Sequence, residues 1–146
     1  MTYRKWAYED VLEIAEIEKE CFKDPWSYRM LADSFFGEYT YTVLAEDAEK
    51  IVGYGFLLAA GEEADIANVA VRGQYRRRGV ARELLSRLEA QAASLGVVRV
   101  FLEVRVSNAA AMALYLKCGY VGVYVRPRYY EDGEDALVMQ KVLSEK

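Results

Sequence analysis

The chain has 146 residues, of which 53% are hydrophobic and 29% are charged, a composition typical of one globular domain covering residues 1–146. It has no apolar run near the ~20 residues of a membrane-spanning helix, and no signal-like apolar core at its start. These features exclude a membrane-bound protein and predict a cytoplasmic one. The net charge of −4 argues against direct nucleic-acid binding.

Histidine is absent from the sequence, and cysteine occurs twice, at Cys21 and Cys118. The lack of histidine excludes Ser-His-Asp and Cys-His catalysis together with His-based metal sites. Two isolated cysteines form neither a disulfide framework nor a zinc site. Any general acid or base must therefore be a carboxylate, tyrosine, lysine or cysteine, and we expect no metal.

The first part of the chain predicts a strand followed by two helices. Tyr3 to Trp6 indicates a short strand, and apolar residues at helical spacing predict a helix from about Glu9 to Cys21. Pro25 disfavours helix at the residue before it, and Ser27 suits the N-cap of a short second helix. That helix should carry three apolar side chains on one side, Met30, Leu31 and Phe35.

The middle of the chain predicts three strands, a helix and a fourth strand. Three apolar runs are separated by turn residues: Tyr41 to Ala45, Ile51 to Leu58 and Ala64 to Val71. A helix begins at Val80 and ends near Leu95-Gly96, and Val97 to Val106 is strongly β-prone. Because one helix separates the third and fourth strands, these two should form a parallel pair at the centre of the sheet.

The last part predicts a helix and a hairpin. Ser107 or Asn108 should cap a helix from Ala109 to Lys117 that Gly119 ends, and the strands Val121 to Val125 and Ala136 to Val142 follow. The complete order is β α α β β β α β α β β. It predicts an α/β (α+β) fold with a mixed, mostly antiparallel sheet that contains one parallel central pair.

A basic loop joins the third strand to the central helix. Arg76, Arg77 and Arg78 precede Gly79 and Ala81, two small residues at the point where the helix should begin. The N–H groups of a first helical turn and the helix dipole can bind a diphosphate if no side chain blocks them. The alternatives are a solvated charge run, or nucleic-acid binding through the five arginines between Arg72 and Arg82.

This loop resembles the acyl-CoA pyrophosphate loop of the GNAT acetyltransferase superfamily, whose signature is Gln or Arg, two residues, Gly, one residue, then Gly or Ala. Arg76, Gly79 and Ala81 fill that signature. The order of elements is also the GNAT order. The resemblance implies a GNAT fold with acetyl-CoA as cosubstrate, held by Val69, Ala70, Val71, Arg76, Arg77, Arg78, Gly79, Val80, Ala81, Arg82 and Asn108.

Two residues in the second half of the chain are candidates for the chemistry. Leu102-Glu103-Val104-Arg105, the following Ser107-Asn108-Ala109 and Leu114-Tyr115 resemble the ribosomal-protein-alanine N-acetyltransferases, the RimI type within the superfamily. The resemblance implies that Glu103 is the general base and Tyr115 the general acid.

Both residues also have a purely structural interpretation. By strand alternation Glu103 shares a face with Arg99 and Arg105, which could neutralise it, lower its pKa and weaken it as a base. Tyr115 could simply pack its ring on the sheet. As an acid it would need little perturbation, because the ordinary pKa of tyrosine is ~10 and that of a thiol ~8.5.

The strength of the base bears on the acceptor. An α-amino group has a pKa of ~7.7–8.0 and a lysine ~10.4, so neutralising a lysine costs roughly 3.5 kcal/mol more. A lone carboxylate, acting directly or through water, is therefore adequate for a protein N-terminus and less so for lysine.

Two aromatic segments are candidates for the walls of the acceptor site. The segment around Trp26 and the segment around Tyr129 and Tyr130 both resemble RimI-type segments; the alternatives are a turn with a packed tryptophan and a hairpin loop with surface aromatics. Four acids follow the tyrosines and could attract a basic ribosomal tail: Glu131, Asp132, Glu134 and Asp135.

The resemblance as a whole implies acetyl transfer, by direct attack of the amine on the thioester, to the N-terminal alanine of a small-subunit ribosomal protein, the one numbered eighteen in bacteria. Other N-termini or lysines remain open as acceptors on the same scaffold. A catalytically silent domain that binds CoA or a partner protein is the alternative from a different class.

Overall fold

The computed structural model describes residues 1–144, so the last two residues of the predicted 1–146 domain lie outside the described part. Seven strands form one sheet: β1 Thr2–Arg4, β2 Thr40–Asp47, β3 Lys50–Ala60, β4 Glu63–Val71, β5 Arg99–Arg105, β6 Val121–Arg126 and β7 Ala136–Val142. Four helices flank it: α1 Val11–Cys21, α2 Tyr28–Phe35, α3 Val80–Ser94 and α4 Ala109–Lys117. The predicted order of elements is confirmed.

The sheet has the strand order β1-β2-β3-β4-β5-β7-β6. Neighbouring strands are antiparallel except β4 and β5, which are the predicted parallel pair. Their pairing extends over three residue pairs, from Glu63 with Arg99 to Asp65 with Phe101. Beyond Asp65 the two strands diverge, and the sheet opens into a wedge at its centre.

A β-bulge in β4 accompanies this divergence. Asn68 pairs with Phe56 of β3, and Ile66 pairs with the next β3 residue, Leu57, so Ala67 bulges out of the ladder. A bulge bends its strand and increases the local twist. The bulge therefore lies on β4 in the stretch where that strand leaves β5.

Apolar side chains form a core on each face of the sheet. Helix α3 buries Leu84, Leu85 and Leu88 against one face, and α1 buries Ile14 and Ile17 against the other. The sheet is thus covered on both sides, and the wedge between β4 and β5 opens between these layers. Within residues 1–144, no helix combines the length and apolar character needed to span a membrane.

The first strand and first helix are shorter than predicted. Strand β1 ends at Arg4, and Trp6 is a buried core residue whose indole N–H donates to the carbonyl of Val43 at 2.9 Å. Helix α1 begins at Val11 after a turn of 3₁₀ helix, because the Asp10 carboxylate accepts the Ala7 N–H at 2.7 Å instead of entering the helix.

Two other boundaries differ from the predicted ones. Strand β5 begins at Arg99, two residues later than expected, because the N–H of Val97 is bonded to the end of α3. In α2 the predicted apolar side is only partly buried: Leu31 is fully buried, whereas Met30 is 48% exposed. The N-cap prediction for this helix is confirmed, because the Ser27 hydroxyl accepts the Met30 N–H at 3.1 Å.

Candidate active site

A cleft of about 510 Å³ occupies the wedge between β4 and β5. One wall comes from β4 (Asp65 to Val69), and the facing wall comes from β5 (Leu102 to Arg105). The cleft brings together seven predicted site residues from all parts of the chain: Trp26, Val69, Glu103, Asn108, Tyr115, Tyr129 and Tyr130.

Glu103 projects from β5 into the cleft, and its side chain is 24% exposed. Burial raises the pKa of this carboxyl, the negative charge of Asp65 raises it further, and Arg126 opposes both. The Arg126 Nε lies 3.7 Å from Glu103 Oε2. The net pKa is above the ordinary value, which makes Glu103 a stronger base than a solvated glutamate.

The interpretation of Glu103 as neutralised by Arg99 and Arg105 is wrong. Arg99 forms its ion pair with Glu63 at 3.5 Å, and Arg105 forms ion pairs with acids of two loops. The arginine that reaches Glu103 comes from β6, which is two strands away in the sheet. Strand alternation therefore named the wrong partners, and the pKa of Glu103 is raised instead of lowered.

Tyr115 lies on α4, with its ring 6.0 Å from that of Tyr120 in an edge-on arrangement. Burial, followed by the neighbouring Tyr130 and Cys118, raises the pKa of Tyr115 to about 12. The phenol is therefore fully protonated at neutral pH, as a proton donor must be. The ordinary pKa values of tyrosine and a thiol differ little, but the pKa of this buried phenol lies further above that of a thiol in water.

Asn108, and not Ser107, is the N-cap of α4. Its Oδ1 accepts the Ala111 N–H at 3.1 Å, while the Ser107 N–H donates to Glu134 at 2.9 Å. The cap uses only the amide oxygen of Asn108, so its amide nitrogen is free to serve the cleft that the residue lines.

The basic loop ends in a glycine with left-handed backbone. Gly79 has φ +78 and is the N-cap of α3, where it supplies no side chain to cap the first N–H groups. Apart from Gly79 itself, its chain neighbours and the adjoining helix backbone, no atom of residues 1–144 lies within 4 Å of the position a Cβ would take at Gly79. The start of α3 is therefore open to a ligand, and its N–H groups and dipole favour an anion.

The arginines of this loop differ in what they contact. Arg76 is turned back, with Nε donating to the Val71 carbonyl at 3.0 Å. Arg78 lies over the Tyr75 ring at 5.2 Å. Arg77 and Arg78 are exposed, and Arg82 lines a second cavity of about 210 Å³. The side chains of Arg77, Arg78 and Arg82 are thus better placed than that of Arg76 for a phosphate outside the protein.

The remaining predicted cofactor residues lie outside the lining of the cleft. Ala70, Val71 and Val80 have buried side chains, 6%, 7% and 3% exposed, so only their backbone could contact a ligand. Ala81 is partly buried against the core beside them.

The two predicted acceptor-side segments face one another across the cleft. Trp26 packs edge-on against Phe56 of β3, with ring centroids 5.1 Å apart. Tyr130 lies beneath the guanidinium of Arg105 at 4.1 Å, and its ring is 5.0 Å from that of Tyr129. Each ring therefore has a defined packing partner and also lines the cleft.

Arg105 joins the two segments. Its guanidinium donates to Asp24 at 2.7 Å on the side of Trp26, and to Asp132 at 2.8 Å and Glu134 at 2.9 Å on the side of Tyr130. Hydrogen bonds from the Glu134 N–H and from Arg105 lower the pKa of Asp132, and those from Ser107 and Arg105 lower that of Glu134.

Part of the predicted acidic cluster is bonded within the protein. Asp132 and Glu134 are paired with Arg105, and Asp135 accepts the Arg128 N–H at 2.9 Å. One guanidinium, shared with Asp24, compensates only part of this negative charge. Three carboxylates line the cleft itself, Asp24, Asp65 and Glu103. Asp24 is paired with Arg105, so Asp65 and Glu103 are better placed to attract a positively charged acceptor.

Two acidic residues near the cleft were not found from the sequence. Asp65 lies on β4, and burial and the Glu63 charge raise its pKa. Glu18 is a fully buried carboxylate on α1 that accepts hydrogen bonds from Trp26 and Asn68, two residues lining the cleft. The sequence does contain a signal for Glu18. It lies four residues after Ile14 and seven after Val11, and this spacing places a charged residue on the apolar side of the helix.

Comparison with known proteins agrees with this geometry. The sequence profile of the acetyltransferase (GNAT) family matches residues 11–120. A putative ribosomal protein bS18-alanine N-acetyltransferase of Bacillus subtilis is 32% identical, covering 97% of this chain and 95% of the relative. The ribosomal protein bS18-alanine N-acetyltransferase of Escherichia coli K12 is 35% identical over 88% of both chains.

The fold is similar to that of a solved structure over nearly its whole length. The crystal structure of the ribosomal-protein-S18-alanine N-acetyltransferase from Escherichia coli aligns with a TM-score of 0.90 at 32% identity, covering 99% of this chain and 95% of that one. Among residues 1–144 there is no group of three or more histidine, cysteine, aspartate or glutamate side chains that could hold a metal ion.

Proposed function

The chain belongs to the acetyltransferase (GNAT) family and is an acetyl-CoA-dependent N-acetyltransferase, and on that premise we propose that its acceptor is the N-terminal alanine of ribosomal protein bS18. The names of two relatives support this acceptor. The observation that carries the proposal is the cleft, which brings Glu103, Tyr115, Trp26, Tyr129 and Tyr130 together between β4 and β5.

The residues around the start of α3 fit acetyl-CoA. The open N-terminus of α3 at Gly79, with the exposed Arg77 and Arg78 beside it, suits a diphosphate. The wedge beyond Asp65 gives an extended chain access to the backbone of β4, and Val69 and Asn108 line the cleft there. Backbone N–H groups of this strand could also stabilise negative charge that develops on the thioester oxygen.

The reaction is a direct transfer. The neutral amine nitrogen of the acceptor attacks the carbonyl carbon of the thioester, the new C–N bond forms, and the C–S bond breaks. Glu103 takes the proton that the amine loses, directly or through one water, and Tyr115 gives its phenolic proton to the departing sulfur. One proton is taken up and one is given, so no metal or covalent enzyme intermediate is needed.

The raised pKa values of both residues fit these roles. Glu103 gains basicity from burial and from Asp65, and an α-amine is already partly neutral at pH 7. Burial makes the Tyr115 tyrosinate costly, but a thiolate in the same apolar surroundings is destabilised for the same reason. Burial of the departing sulfur therefore offsets the raised pKa of Tyr115.

The proposal is tested by thiol release from acetyl-CoA with two short peptides. One peptide begins Ala-Arg and has its lysines blocked; the other has a blocked N-terminus and free lysines. We expect turnover only on the first, strongly reduced in Tyr115→Phe and Glu103→Gln. Turnover only on the second would make the protein a lysine acetyltransferase and refute the base-strength argument.

The same assay covers the two other possibilities. Turnover on peptides with N-terminal residues other than alanine, at equal kcat/KM, would widen the acceptor to N-termini in general. If neither peptide reacts while CoA still binds, the proposed acceptor is wrong and the substrate must be sought elsewhere; a catalytically silent domain would in addition show no thiol release with any amine.

A further inference from the structure

Glu18 is a carboxylate with no solvent exposure in the middle of an otherwise apolar core. Its oxygens accept three hydrogen bonds, from the Tyr54 hydroxyl, the Asn68 side-chain amide and the backbone N–H of Trp26 at 2.9 Å. Burial raises the pKa of Glu18, and the three donors oppose that shift. A carboxylate at such a position is costly unless its oxygens are fully bonded.

The three donors belong to different parts of the fold. Tyr54 is on β3, and Asn68 is on β4, one residue after the bulged Ala67. The Trp26 N–H belongs to the segment between α1 and α2, which forms one side of the cleft. Glu18 therefore fastens the Trp26 segment and the bulged part of β4 to the same helix.

Besides this bond, the Trp26 segment is held by the ion pair of Asp24 with Arg105 and by the packing of the Trp26 ring. The Trp26 ring contacts Phe56, which pairs with Asn68 in the sheet, so the ring, the bulge and Glu18 form one connected unit. Loss of the Glu18 carboxylate would leave the partly buried N–H of Trp26 without its acceptor, because the segment has no regular backbone ladder here. The segment would then have to move to satisfy that group.

We propose that Glu18 is a positioning residue that sets the acceptor side of the cleft, holding the Trp26 segment at a fixed distance from β4. The inference rests on the proposed function, because it assigns the Trp26 side of the cleft to the acceptor. It predicts that Glu18 affects binding of the acceptor amine more than binding of acetyl-CoA, whose diphosphate we place at the start of α3.

The test compares Glu18→Met with Ile17→Ala, which changes the adjacent, equally buried core residue of α1. Glu18→Met keeps the length of the side chain and removes both acceptor oxygens. We expect Glu18→Met to raise the KM of the Ala-Arg peptide about tenfold, as the loss of one hydrogen bond to a charged group does, with a clearly smaller rise in the KM of acetyl-CoA. Ile17→Ala should lower thermal stability and leave both KM values near those of the wild type.

An equal rise of the acceptor KM in Ile17→Ala would show that any loss of core packing has this effect and would overturn the proposal. An equal rise of both KM values in Glu18→Met would overturn it as well. If Glu18→Met does not fold, Tyr54→Phe carries the test, since it removes one donor to Glu18 and keeps the ring. An acceptor KM about threefold higher supports the proposal, and an unchanged one overturns it.

A second measurement needs no turnover and separates this proposal from the acceptor assignment. Acrylamide quenching of tryptophan fluorescence reports mainly on Trp26, because the other tryptophan, Trp6, is only 5% exposed. Quenching should increase in Glu18→Met and stay unchanged in Ile17→Ala. Inactivity of the wild type on every peptide refutes the proposed function, whereas unchanged quenching in Glu18→Met refutes the positioning role.

Discussion

Glu103 lies between two charged side chains of opposite sign. Each charge can be removed by a substitution that keeps the side chain polar and similar in shape. Arg126→Gln removes the positive charge whose Nε is 3.7 Å from Glu103 Oε2. Asp65→Asn removes the negative charge that raises the pKa of Glu103. The first substitution should raise the pKa of Glu103 further, and the second should lower it.

The strength of the first interaction follows from the distance. Arg126 is 47% exposed, so a water-like dielectric applies, and two charges about 3.7 Å apart then interact by about 1.1 kcal/mol. Because this attraction favours the ionised carboxylate, Arg126→Gln should raise the pKa of Glu103. The Asp65→Asn shift has the opposite sign.

The assay is the pH dependence of kcat/KM, which reports ionisations of the free enzyme and the free substrate. Below neutrality, protonation of the acceptor amine makes log(kcat/KM) fall with a slope of one. Protonation of Glu103 at lower pH adds a second unit to this slope. The pH of this change in slope should move up in Arg126→Gln and down in Asp65→Asn. A peptide with a different amine pKa should move only the first slope.

Identical acid limbs in the wild type and both variants would refute the assignment of Glu103 as the base. A shift in the same direction for both variants would show that the change comes from altered packing and not from charge.

Three further predictions concern the acid, the loop before α3 and the link between the acceptor walls. Tyr115→Phe should reduce kcat between about 100- and 10,000-fold, the range for loss of a general acid, with the KM of acetyl-CoA nearly unchanged in thiol-release kinetics. Gly79→Ala should lower the free energy of unfolding by about 1 kcal/mol, because φ is +78 there, and it should weaken CoA binding measured by calorimetry. Its control is Gly73→Ala, in the same loop but with φ outside the left-handed region. This control should change neither the stability nor the CoA binding. Arg105→Gln should destabilise the protein most at neutral pH. The pKa values of its loop partners are lowered in the folded state, so their contribution is present above their unfolded values of about 4 and is lost as the pH falls through the folded ones. Chemical unfolding of wild type and variant should therefore converge at acid pH, and a constant difference across the range would contradict this account.

Features that depend on neighbouring residues could be predicted from the sequence. Ser27 and the pair Ser107-Asn108 were recognised as helix starts because an N-cap is decided within four residues. The parallel pair of β4 and β5 followed from one intervening helix and the handedness of such crossovers. The CoA loop, Glu103 and Tyr115 were proposed as site residues through the family resemblance carried by short motifs, and their roles stay predictions.

Features that depend on distant residues could not be predicted. The arginine nearest Glu103 is Arg126, because β7 brings β6 to that side of the sheet, and alternation within β5 offered only Arg99 and Arg105. Glu18 acquires its role from Asn68, fifty residues away in the chain. Sequence spacing could mark Glu18 as unusual on an apolar helix face, but only the folded chain shows what its oxygens bind.

The short pairing of β4 with β5 has a consequence for how the molecule opens. Three residue pairs join these strands, whereas β5 and β7 are joined by seven. Amide hydrogen exchange should therefore show strands β1 to β4 and strands β5 to β7 as two cooperative units, separated by faster exchange along Glu63–Asp65. A molecule in the wedge touches both units, so saturating CoA should slow exchange at this seam more than anywhere else in the sheet.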